Sequence, residues 1–278
     1  MTRRARVGLM VGLAAVAALA AALLPPIPQD QAYHRMADGR RLVNIPNALN
    51  VLSNLPFVLA GLAGLASLGT GGSGGAFLDA RERWPYTVFF IGLVLTGFGS
   101  AYYHLEPGDA RLCWDRLPLA VTVMGLFAAV ITERIDMRAG LSLLGPLVLL
   151  ALGSVLYWQV SAARGQGDLR LYGLVQFYPM LAVLLVIALF PPRYTGGGDL
   201  AVTIGLYAVA KVFEALDGPV LAAGHVVSGH TLKHLMAALA GYWIVRMLNT
   251  RRPIAVHGDP GAPALPKPRR PSPAGKHA

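Results

Sequence analysis

The sequence predicts an all-α integral membrane protein, a seven-helix core bundle with one extra transmembrane helix at its N-terminus. Three observations carry this expectation. Hydrophobic residues make up 55% of the 278 and charged residues only 14%, against about 25% charged in an ordinary soluble domain. Apolar runs long enough to cross a bilayer, about 17–25 residues each, recur along the chain. Basic residues punctuate the ends of those runs, as in multi-pass proteins. They form no aromatic-interleaved surface, so the net charge of +10 does not point to nucleic acid.

The first run spans 7–25 and follows Arg3, Arg4 and Arg6. It reads as a retained helix within an N-terminal segment 1–28; a cleaved signal peptide is the alternative, because small residues precede Pro25. A core over 29–248 then holds runs at 46–69, 86–104, 115–133, 140–160, 172–190, 200–216 and 229–247. The run at 200–216 is the weakest, since it contains Lys211 and Glu214. At i, i+3 these two can neutralise each other on one helix face. Residues 249–278 are rich in Pro, Gly and basic residues and read as a disordered tail. An even number of spans puts both termini on one side. The basic clusters "TRRAR", "DARERW" and "ERIDMR" mark that side as cytoplasmic. The single cysteine, Cys113, excludes an intrachain disulfide and a Cys-rich zinc module.

Alternation of spans places the polar residues. One run ends at His104, the next begins at Asp115, and the last begins near His230 and His234, so all four meet the same membrane face, opposite the termini. Residues four apart share a helix face, which stacks Ser100 with His104 and His230 with His234. Paired imidazoles at that spacing can converge on one metal. A third, His104, makes the usual number of protein ligands of a catalytic zinc site, with the fourth position left for water. Each residue also has a plainer role open to it. A histidine can be merely interfacial, Ser100 can bond back to its own helix, and Asp115 can cap the span it opens. Ionisable residues within spans are nevertheless costly and usually functional.

The pattern S-x-x-x-H closing one span, Asp opening the next and H-x-x-x-H opening the last resembles the alkaline ceramidase branch of the CREST superfamily. "IPNALNVLSNLPFVLAGLAGL" adds to the likeness, with Asn50, Ser53 and Asn54 forming N-x-x-S-N at the start of the first core span, as do "AKVFEALD" and "SGHTLKHLMAALAGYW". The resemblance covers roughly 34–247. It implies one zinc ion held by His104, His230, His234 and a water. Asp115 would handle the proton of that water, and Ser100 would steady the substrate oxyanion. The implied substrate is ceramide or another N-acyl lipid, cleaved at its amide. Zinc can bring the pKa of bound water to about 7, and a positioned carboxylate and hydroxyl suit the proton transfers and oxyanion that follow.

In one place the chain departs from the ceramidases. Asn47 stands where they are acidic, and the acidic W-x-E-x-N type calcium sequence is missing, so calcium is not expected. Asp38, in the segment before the first core span, reads as an entrance residue that is ordinarily solvated. Glu214 and Asp217 lie toward the histidine level and could orient a ligand through its second ring nitrogen. His225 reads as a loop residue. No protein partner is expected. Alternatives to a hydrolase are a lipid-binding receptor or sensor that keeps the metal without turnover, a haem-binding electron carrier, and a transporter resting on Lys211 and Glu214.

Overall fold

A computed structural model describes residues 1–69 and 76–254. The described residues are helical, with two isolated β-bridges and no strand. The helices are α1 (Arg3–Leu23), α2 (Ala48–Leu52), α3 (Leu55–Gly69), α4 (Arg83–Leu105), α5 (Asp109–Val130), α6 (Met137–Ala163), α7 (Arg170–Leu189), α8 (Asp199–Ala215), α9 (Asp217–Gly224) and α10 (Gly229–Thr250).

Six stretches are long and apolar enough to cross a membrane: Arg3–Leu23, Ala48–Gly69, Ala80–Leu105, Asp109–Ile135, Met137–Ala163 and Arg170–Leu189. Two expected spans are not among them. α8 has only 17 residues, and α10, at 22 residues, carries His230, Lys233, His234 and Arg246 along its length. Both still belong to the bundle, where α10 packs between α8 and α3. α5 is the central helix: 78% of its apolar window is buried, against 6% for the peripheral α1.

Local sequence explains the departures from regularity. The first core span breaks between α2 and α3 because Ser53 and Asn54 turn their side chains back onto the carbonyl of Asn50, competing with the helical ladder. α5 starts six residues earlier than the apolar run suggests. Its first turn is the polar "DARL" after Gly108, which a hydropathy pattern cannot distinguish from a loop. The same helix ends in a π turn, Ile131–Ile135.

The two ends of the described chain meet one end of the bundle. Arg3 donates to the Ile135 carbonyl at 2.8 Å and to Asp136 at 3.0 Å. Arg251 donates to Glu133 at 2.5 Å and to the Tyr86 hydroxyl at 3.3 Å. Residues 249–251 are therefore not tail: α10 runs through Thr250, and Arg251 is 5% exposed. The disorder expected of the tail falls mainly on 255–278, outside the described residues. At the other end, the segment between α1 and α2 folds across the helix termini. Leu169 donates to the Ile27 carbonyl at 2.9 Å, and Gln31–His34 form one 3-10 turn.

Candidate metal centre

His104 occupies the last turn of α4. Its carbonyl, left without a partner by the end of the helix, accepts from Asn47 Nδ2 at 2.9 Å. Asn47 adopts the left-handed region (φ 47°) to make that approach. His230 and His234 occupy the first two turns of α10. Ser228 caps this helix through Thr231 N at 3.2 Å, and Asp217 Oδ1 accepts from His230 N at 2.8 Å. These caps fix where both histidines point.

The three rings converge. Their centroids are 4.8, 4.8 and 4.9 Å apart, and one nitrogen from each lies within 4.8 Å of the others. Exposure is 1% for His104, 4% for His230 and 2% for His234. His104 Nδ1 and His234 Nε2 are buried without a partner, a costly state for a polar atom unless something fills the site. At His234 the protonation follows from the hydrogen bonds. Ser53 gives its only proton to the Asn50 carbonyl at 3.1 Å, so its oxygen must accept from His234 Nδ1 at 2.8 Å. That leaves Nε2 as a bare lone pair facing the other rings. Three neutral imidazoles, one pinned through its far nitrogen, are a donor set that suits zinc. The nitrogen separations reach beyond the roughly 3.4 Å of a closed tetrahedral site with bonds of about 2.1 Å, so the cage is loose. The geometry is compatible with a metal site and does not select the metal.

Asp115 stands in the second turn of α5, not at its N-cap, which is Gly108. That corrects the capping role and leaves its carboxylate on a cavity wall that Ser100 shares. The close approach of α4 to α5 is made by Gly99, where a Cβ would collide with the Trp114 carbonyl. Ser100, Asp115 and His234 all line a cavity of about 340 Å³ whose walls include Phe57, Leu119 and Phe177. The structure thus brings His104, His230 and His234 together and puts Ser100 and Asp115 on a cavity that His234 also lines.

The remaining candidates sit differently. Asp38 is not a solvated loop residue: it is 2% exposed and clasped by Arg40 through Nη2 at 2.7 Å and Nε at 2.8 Å. The Arg40 guanidinium holds its carboxyl below the usual range. Asp217 orients no imidazole; it accepts from the backbone of His230 and of Ala37, the latter at 2.9 Å. Glu214 contacts no ligand histidine. It pairs with Lys211, accepts from Lys233 at 2.6 Å and takes a hydrogen bond from Tyr33 at 3.0 Å. Burial and the Glu214 carboxylate hold the Tyr33 phenol well above its ordinary value, which keeps it a donor. His225 ends α9 in the left-handed region, exposed.

Sequence reasoning missed Lys233, whose Nζ lies 3.3 Å from His230 Nε2, and Arg116, which lines the cavity. Lys233 was visible as the third residue after His230 in "GHTLKH". Ser53 was noticed as part of N-x-x-S-N, but nothing in the sequence tied it to His234, 181 positions away. No family model matches this chain, and a search of curated proteins finds none similar to it.

Proposed function

We propose that this chain is a zinc-dependent membrane hydrolase of the alkaline ceramidase type, a seven-helix core plus α1, which cleaves the amide of an N-acyl lipid. The observation that carries the reading is three buried, converging imidazoles, two of them with an unpartnered nitrogen, and one of these two, His234, lining one largely apolar cavity with Ser100 and Asp115. A zinc ion would be held by His104, His230 and His234 and would supply a Lewis acid and a water acidic enough to ionise near neutrality.

The chain's own groups supply the rest. Asp115, inside the cavity, takes a proton from the attacking water and returns it to the leaving amine. Ser100, on the same cavity wall, would donate its hydroxyl to the developing oxyanion. Ser53 keeps His234 in one tautomer. Phe57, Leu119 and Phe177 offer an apolar wall for an acyl chain, and burial excludes competing bulk water.

The test is metal analysis of the purified protein together with release of fatty acid from ceramide and simpler N-acyl amides. Stoichiometric zinc that disappears in His230→Ala/His234→Ala, with amide hydrolysis lost alongside it, is the expected result. Zinc that persists in the double variant would overturn the ligand set. Bound lipid that is never turned over would instead favour a receptor.

A further inference from the structure

Arg116 follows Asp115 on α5 and is 7% exposed. Its guanidinium lines the cavity that holds Asp115, Ser100 and His234. Nη2 donates to Gln29 Oε1 at 2.5 Å. Nη1 is buried and has no partner. The charge is boxed by rings, with Trp158 at 4.4 Å, Tyr172 at 4.8 Å and Tyr33 at 5.9 Å. Cation–π contacts of this kind partly replace lost hydration, but they leave the in-plane N–H groups of Nη1 unsatisfied.

The other charges on the cavity wall do not compensate it. Lys211 and Lys233 both pair with Glu214. Asp115 shares the cavity wall without forming an ion pair. Three cations therefore face two carboxylates across this cavity, and the guanidinium is the cation that makes no direct ion pair. A planar arginine with a free N–H edge is suited to an oxyanion, which it meets with directed, charge-assisted hydrogen bonds.

We propose that Arg116 receives an oxyanion, a carboxylate or phosphate, on the headgroup of the amphiphile that occupies this cavity. The proposal rests on the amide-hydrolase reading for where the acyl chain and amide lie, and it narrows the substrate class from neutral to acidic N-acyl lipids. The rings around Arg116 then act as walls of the headgroup subsite, and Gln29 holds the guanidinium through Nη2, leaving Nη1 for the ligand.

Binding of three probes to the detergent-solubilised full chain tests this, with EDTA present to prevent turnover. The probes are N-oleoylglycine, N-oleoylethanolamine phosphate and neutral N-oleoylethanolamine. At least one acidic probe is expected to bind about tenfold or more tightly than the neutral one, as for a hydrogen bond to a buried charge. The winning arm identifies carboxylate or phosphate as the source. Arg116→Gln is expected to abolish the preference while leaving affinity for the neutral probe in place. Gln29→Glu should do the same with the arginine retained, since the new carboxylate satisfies the guanidinium. That variant keeps the test alive if Arg116→Gln fails to fold. Equal affinity for all three probes in the native protein, or a preference that survives both variants, overturns the proposal. An acidic preference in binding, with no amide hydrolysis of any probe by the zinc-loaded protein in a separate assay without EDTA, would remove the hydrolase reading and leave the anion subsite standing.

Discussion

At His234 one hydroxyl decides which ring nitrogen is free. Ser53 can accept from Nδ1 only because its own proton is committed to Asn50, so Ser53→Ala should let the ring rotate and change tautomer. Zinc affinity is expected to fall about 10- to 100-fold, as for other groups that orient metal ligands, measured by competition with a chromogenic chelator. Asp115→Asn is expected to keep the metal and lose amide hydrolysis by about 10²- to 10⁴-fold; an unchanged rate would remove Asp115 from the proton path. The histidines, Ser100 and Asp115 were legible because i, i+4 spacing and span alternation are properties of one chain segment at a time. Ser53 and Arg116 were not, because their roles depend on packing between segments far apart in sequence; Lys233 stood in view three residues after His230 and was overlooked.

Between elements, the α4–α5 contact sets the distance between His104 and Asp115. A Cβ at Gly99 would drive into the Trp114 carbonyl, whereas one at Gly153 on α6 would meet nothing within 4 Å. Gly99→Ala is therefore expected to cost about 1–3 kcal/mol by overpacking and to impair hydrolysis, while Gly153→Ala is neutral or slightly stabilising; thermal unfolding in detergent separates them. At the opposite end, Arg251→Ala would leave Glu133 buried and unpaired, a loss of about 3–5 kcal/mol, with metal binding retained in the protein that still folds. Helix order was readable from apolar runs, but their limits were not. The first turn of α5 is polar, and the α2–α3 break depends on side chains bonding to backbone.

For the molecule as a whole, loop carboxyls at both ends of the bundle carry the pH response. Arg40 depresses Asp38, and Arg170 depresses Asp168. A carboxyl whose folded value is lowered adds stability above its unfolded value, about 3.9, and that stability is lost as pH falls through the folded value. Acidification to about pH 3 should thus begin to loosen residues 35–42, read by hydrogen exchange, and Asp38→Asn should remove that loop's pH dependence. The bundle and the shared level of the site residues followed from hydropathy alone. The roof over them, from Ile27 to Asn47, did not, since several of its polar groups are satisfied by partners 75 to 181 positions away.

The placement of the histidines also has a consequence in time. Synthesis delivers His104 early and His230 and His234 last, on the helix that closes the bundle between α3 and α8. No nascent chain can hold an ion with three imidazoles until α10 has left the ribosome and docked. An ion held by all three imidazoles would thus be captured only after α10 has docked against α3 and α8.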